Sequence, residues 1–331
     1  MSYAIDNLTP LRALARPHED ARGRSFVLVV AKGCWRLSTG RLAPAEAQVP
    51  LRTAPLLRQI GSLGLDPAQE QTLAARLDAE VVWIDHEVGP PKPRFDVIVA
   101  GHARAPGRAQ QASFDASIRI GPRAAVVRAW APRVSEPGAL LGERAVQVGP
   151  GVLRVPMSHA FAGWEGGISG PASPGAPWLL PWLTDPHGSA APWGFGPWPE
   201  SAPHRRRHTG TFDAAWRSER APRLPLDFDE AFHNTAHPEL QWPEAPPPGA
   251  LVRIAHLGPE PLVETRYPDL TLTVRAIGPD GAAADTPLRP DTLLIEPDED
   301  RLSVVHRALL PAPRSTDPPG TLRLFAARSP A

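Results

Sequence analysis

His233 and His237 stand four residues apart in the string His-Asn-Thr-Ala-His, a spacing that puts two imidazoles on one helical face. Zinc proteases place a glutamate directly after the first histidine of such a pair. Here Asn234 holds that position, and Pro238 ends a helix at once. The reading preferred is two surface or hydrogen-bonding histidines, with no metal site. Asp227 and Asp229 flank Phe228, and in extended backbone residues two apart face the same way. Convergent carboxylates support acid–base or metal chemistry. Turn formation and capping of residues 230–232 is the more ordinary role for both. The basic run His204 to His208 has the composition to grip a phosphate or an acidic patch, but a solvated charge run is preferred.

Other reactive groups lack their settings. Cys34 is the single cysteine, which forbids an internal disulfide and reads as a small buried apolar side chain. Ser135, Ser158 and Ser169 have no Gly-x-Ser-x-Gly surroundings, so the hydrolase elbow is missing. Neither a phosphate-binding Gly-Lys-Ser/Thr loop nor a dinucleotide glycine fingerprint occurs. The glycines between Gly163 and Gly167 suit a tight turn. No cofactor, no metal and no catalytic residue is expected.

Composition bounds the rest. The chain has 331 residues, 42% of them hydrophobic, enough for one large or two ordinary domains. Its 43 prolines disfavour long helices, while ten tryptophans and nine phenylalanines argue for packed rather than disordered chain. Lys+Arg and Asp+Glu are both 35, which removes the electrostatic basis for general nucleic-acid or anionic-membrane binding. Lysine occurs only at positions 32 and 92. No secretory signal and no run of about 18 apolar residues appears, so a soluble, cytoplasmic protein is expected.

The elements read as mainly β. Residues 25–37 form an almost continuous apolar run, a strand buried on both faces. Asp66 to Glu80 predicts the one clear amphipathic helix, with Asp66 as N-cap, Pro67 at the first position and Leu73, Leu77 and Val81 on one face. A proline-led strand follows in residues 90–106. Residues 113–120 and 124–130 read as a hairpin across Gly121 and Pro122, and residues 153–157 as a short extended segment. A short helix is expected at 213–219. Strands return at 251–256, 271–277, 292–295, 302–308 and 321–325. The fold class is therefore sandwich-like antiparallel sheets with long Pro/Gly/Trp-rich loops and one or two short helices. Residues 1–160 read as an N-terminal β domain and 161–245 as an ordered Pro/Trp-rich connector. Residues 246–331 read as a C-terminal β segment, which completes one continuous domain or abuts the first.

The most distinctive stretch is 192–241. It holds Gly-Phe-Gly at residues 194–196, Gly-Thr-Phe-Asp at 210–213 and Leu-Pro-Leu-Asp-Phe-Asp at 224–229. Aromatics on a stiff backbone suit a docking or framework surface. The candidate partner-binding residues are Trp193, Phe195, Trp198, Phe212, Trp216 and Phe228, with burial in the framework as the competing role for each.

Five strings in order resemble a bacterial family of type VI secretion adaptors, formerly catalogued as a domain of unknown function. Residues 27–37 are similar to its opening strand. Residues 92–106 resemble its Lys-Pro-x-x-Asp-Val, Gly-His-Ala, Pro signature, and 156–163 its Met-Pro-Leu, Ala-Phe-Gly-Gly element. Residues 193–241 match its Gly-Phe-Gly-Pro to Pro-x-Asp-Phe-Asp block, and 291–308 its closing strand pair. The third string departs, reading Ala-Phe-Ala-Gly-Trp-Glu-Gly-Gly, and His306-Arg307 stands for a closing Trp-Arg. The resemblance implies a non-enzymatic cytoplasmic adaptor that binds a secreted effector protein and helps load it onto the spike protein of the type VI apparatus. The rival expectations are a β-fold hydrolase or carbohydrate-active protein using Asp227 and Asp229, and a structural component of the secretion apparatus.

Overall fold

The computed structural model describes residues 4–37, 42–59, 80–135, 145–147, 151–161, 164–165, 168–169, 178–180, 182–188, 193–278, 280–312 and 321–327. The helix expected at 66–80 lies outside them, apart from Glu80, which opens a strand.

The strand Ser25–Arg36 is buried over residues 27–34, as its unbroken apolar run requires. Its period of two splits the side chains between two cores. Val27, Val29 and Ala31 join Leu272, Val274, Leu310 and Leu324 in one cluster. Leu28 and Val30 meet Val88 and Val305 in another. The strand pairs antiparallel with Arg12–Glu19 on one side and Arg301–Pro311 on the other. Ala283–Glu296, Thr271–Ile277 and Thr321–Ala327 continue the sheet, and Ile5–Asn7 ends it parallel to Thr321–Ala327. Ile5–Asn7 also packs against Arg12–Glu19, so the sheet curls into a nearly closed barrel.

Ala283–Glu296 carries the chain out of this barrel. Its first half pairs with Thr271–Ile277, and beyond a bulge between Pro290 and Thr292 it pairs parallel with Phe95–Val99. The second large sheet is antiparallel. Its strands, in spatial order, are Leu183–Thr184, Arg123–Trp130, Ser113–Ile120, Leu251–Ala255 and Leu262–Arg266. The largest core lies between this sheet and the Phe95–Val99 region, and includes Phe95, Ile118, Val127, Ile254, Leu293 and Val304. Strands from before residue 160 and after residue 246 are hydrogen-bonded neighbours in both large sheets.

The fold is mainly β, as the pattern predicts, with differences in detail. Residues 90–106 form two strands, Phe95–Val99 and His102–Arg104, broken at Gly101, where a Cβ would lie 2.9 Å from Pro297 Cδ. The strand expected at 292–295 is fourteen residues long. Pro287 is tolerated inside it because the strand has a partner on only one side there. The helix expected at 213–219 forms over Ala214–Glu219, with the Asp213 carboxylate accepting the Trp216 N–H at 2.7 Å.

Candidate functional site

The connector from residue 193 to 242 is bound to the sheets by buried polar groups, Arg205, Asn234 and Thr235 among them. Asp96 is fully buried and accepts from Lys92 Nζ at 2.7 Å, Asn234 Nδ2 at 2.8 Å and the Thr235 N–H at 2.7 Å. The centre of the His-Asn-Thr-Ala-His string is thus a clamp on the Phe95–Val99 strand. Its histidines flank that clamp without converging on a metal. His233 Nε2 lies 3.3 Å from Glu230, whereas His237 packs edge-on against Trp193 at 4.0 Å between ring centroids. Among the described residues, no group of three His, Cys, Asp or Glu is placed to hold a metal ion.

The basic run at 204–208 is only partly the solvated charge run expected: Arg206 and Arg207 are exposed, while Arg205 is turned inward. Arg205 is buried, donating to the carbonyls of Trp198 at 2.7 Å and Phe232 at 3.1 Å and lying 3.3 Å from Asp85. It fixes the two halves of the connector to each other. Its neighbour His204 packs on Trp198. Burial pushes His204 down to about 4 and His237 down to about 3.

Both candidate carboxylates of the rival hydrolase reading make local bonds. Asp227 accepts from the Thr211 N–H at 3.0 Å and the Thr211 hydroxyl at 2.7 Å, which hold it below the usual carboxylate range. Asp229 caps residues 230–233 through the Ala231 N–H at 2.9 Å, which lowers it, and pairs with His208 Nδ1 at 2.6 Å. Neither is raised in the manner of a general acid at neutral pH. Cys34 is buried, and its sulfur accepts from Ser303 Oγ at 3.4 Å.

The six candidate partner-binding residues divide by exposure. Trp193, Phe195 and Trp198 are 5%, 0% and 4% exposed. Trp193 Nε1 donates to the Val126 carbonyl at 2.6 Å, and the Phe195 carbonyl accepts from the Val99 N–H at 2.7 Å. Glycine flanks Phe195 because a Cβ at Gly194 would sit 2.8 Å from Ala160 Cβ, and one at Gly196 2.9 Å from the Met157 carbonyl oxygen. As placed, these three aromatics are framework, out of reach of a partner. Phe212 is 52% exposed and rests edge-on against Trp216 at 4.7 Å; Trp216 and Phe228 are half-buried. The Thr211–Asp227 bonds bring the segment of Phe212 alongside that of Leu226, which is 64% exposed. The outward part of the connector is therefore this small lobe.

Sequence reasoning missed a second surface, built around the strand that follows Phe95–Val99. His102–Arg104 pairs with Arg154–Pro156, which sets Arg104 beside Arg154. Two clefts meet at these two arginines, one of about 350 Å³ and one of about 660 Å³. In the smaller, Asp298 bonds His102 Nδ1 at 2.6 Å and Arg104 at 2.5 Å, and Glu296 takes Arg301 through two bonds of 2.6 Å. Burial opposes the charge on Asp298, but its bonds to His102 and Arg104 outweigh this and keep its carboxyl low. The Arg58 guanidinium covers the Trp83 ring at 3.9 Å. Among the described residues, Arg52, Arg108 and Arg154 form no ion pair. The larger cleft contains no carboxylate, and Leu153, Pro106, Pro259 and Pro261 give it an apolar floor. His256, at its edge, has a left-handed backbone (φ 58°) held by its carbonyl accepting from the Arg104 N–H at 2.8 Å. The signal available in sequence was the alternation His-Ala-Arg-Ala at 102–105, which aims His102 and Arg104 one way.

The chain matches a family model over residues 22–178 and again over 167–307, a span that takes in both the lobe and the arginine groove. The family is described as an uncharacterized protein conserved in bacteria (DUF2169). The chain belongs to this DUF2169 family. No curated protein and no solved structure matches it. Three barrel strands of this DUF2169 protein, Ile5–Asn7, Arg12–Glu19 and Thr321–Ala327, lie outside the matched residues. No helix among the described residues is long and apolar enough to cross a membrane.

Proposed function

We propose that the protein is a non-enzymatic adaptor that receives a secreted effector in the cytoplasm and helps place it on the type VI spike. The observation that carries this reading is the division of labour among its polar and aromatic residues. The two carboxylates of the rival hydrolase reading make local framework bonds, Asp227 on a turn and Asp229 on a cap, and Asp96 holds the connector clamp. The outward features are of the kind that bind protein, an aromatic lobe and a guanidinium-lined groove on a rigid sheet scaffold. The ordered strings that resemble type VI adaptors supply the choice of partners. Affinity purification of the tagged protein from bacteria expressing the secretion system, followed by mass spectrometry, tests it. Recovery of a neighbouring-gene toxin or the spike protein is expected. Recovery of neither contradicts the proposal.

A further inference from the structure

The arginine groove carries more guanidinium than its own carboxylates neutralise. Among the described residues, six arginines line the two clefts (positions 52, 58, 104, 108, 154 and 301) against three carboxylates: Asp298 and Glu296 are used by His102, Arg104 and Arg301, Glu299 can offset one further charge, and Arg52, Arg108 and Arg154 face the groove without an ion pair. The excess is local, because the whole chain is formally neutral. Guanidinium groups take carboxylates through paired N–H donors, and here they sit beside an apolar floor of Leu153, Pro106 and Pro261. That mixture suits a chain that alternates carboxylate and apolar side chains.

We infer that this groove is a docking site for an extended acidic peptide segment of a partner protein. Resting on the adaptor reading, the segment belongs to the effector or the spike. Backbone pairing is not the means of capture, since the strand amides at the groove are already used: Arg104 N–H donates to His256 and Ala105 N–H to Leu153. Side chains therefore make the selection. Nucleic acid fits less well. The face of Trp83 that would stack a base is covered by Arg58.

The test measures fluorescence anisotropy of a labelled peptide of alternating glutamate and leucine. A lysine–leucine peptide and a single-stranded DNA oligonucleotide serve as controls. The full chain binds the glutamate peptide saturably and more weakly as salt rises, and binds neither control comparably. Arg108→Glu with Arg154→Glu, both exposed positions, lowers affinity on the order of tenfold or more with an unchanged circular-dichroism spectrum. Arg154→Lys retains part of the binding. Equal binding by wild type and the double variant overturns the assignment, as does DNA binding as tight as the peptide's. Effector recovery by a double variant that no longer binds peptide places capture elsewhere and leaves the adaptor reading intact. Peptide binding without recovery of toxin or spike keeps the groove and removes the adaptor.

Discussion

Lys32 and Lys92, the two lysines in the chain, are both buried in ion pairs, at 2% and 6% exposure. Lys32 Nζ bonds both oxygens of Glu87, at 2.9 and 2.7 Å, and Lys92 bonds Asp96. The Lys32 pair joins segments 55 residues apart, and the Lys92 pair, four residues apart, neutralises the Asp96 carboxylate that also holds the connector through Asn234 and Thr235. Removing one partner of such a pair leaves a buried charge uncompensated, at a cost of about 3–5 kcal/mol. Asp96→Ala is expected to lose that much, read from urea unfolding, whereas an exposed control such as Glu244→Ala changes stability by less than about 0.5 kcal/mol. Protonation gives a second expectation. His204, His237 and His306 are lowered by burial to about 4, 3 and 4, so the unfolded chain binds protons that the folded chain refuses. Stability is fully present above about pH 6.5 and is lost as pH falls from there toward 4. Thermal melts across that range should show a falling midpoint, and His204→Leu should flatten the slope. An unchanged slope in that variant contradicts the assignment of His204. The two lysines were visible in the sequence, but their burial was not. Glu87 lies 55 residues from Lys32, and Asp96, though only four from Lys92, is buried by a connector that returns 138 residues later.

Elements were legible where alternation was clean. Ser113–Ile120 and Arg123–Trp130 alternate and turn at Gly121, which takes φ 56°. Arg12–Glu19 was hidden because an edge strand admits Pro17 and exposed charge. The connector was legible as ordered, aromatic and proline-stiffened, but the direction each aromatic faces depends on sheets formed far away in sequence. Trp193, Phe195 and Trp198 face inward, and the connector's exposed large apolar side chains among the described residues are Phe212 and Leu226. The glycines of Gly-Phe-Gly follow from that packing. Gly196→Ala is expected to destabilise by about 1–3 kcal/mol through the clash with the Met157 carbonyl, measured by chemical denaturation. A stability equal to wild type would mean the loop relaxes freely there.

At the scale of the molecule, a barrel and a five-stranded sheet share the bulged Ala283–Glu296 strand's neighbourhood and one large core. The charge balance of the sequence correctly gave a neutral whole but concealed a local arginine excess, because Arg52, Arg108 and Arg154 meet only after strand pairing. In the adaptor reading, this rigid body presents the lobe at Phe212 and Leu226 on one element and the groove on another. Phe212→Ala with Leu226→Ser should cost less than about 1 kcal/mol, since both side chains are largely exposed. The decisive measurement is quantitative mass spectrometry of what co-purifies with the tagged wild type and with this variant, from cells expressing the secretion system. The account predicts toxin or spike protein with the wild type and at least about tenfold less with the folded variant. Absence of both from the wild-type sample would contradict the adaptor function, and equal recovery by the variant would contradict the lobe as its contact surface.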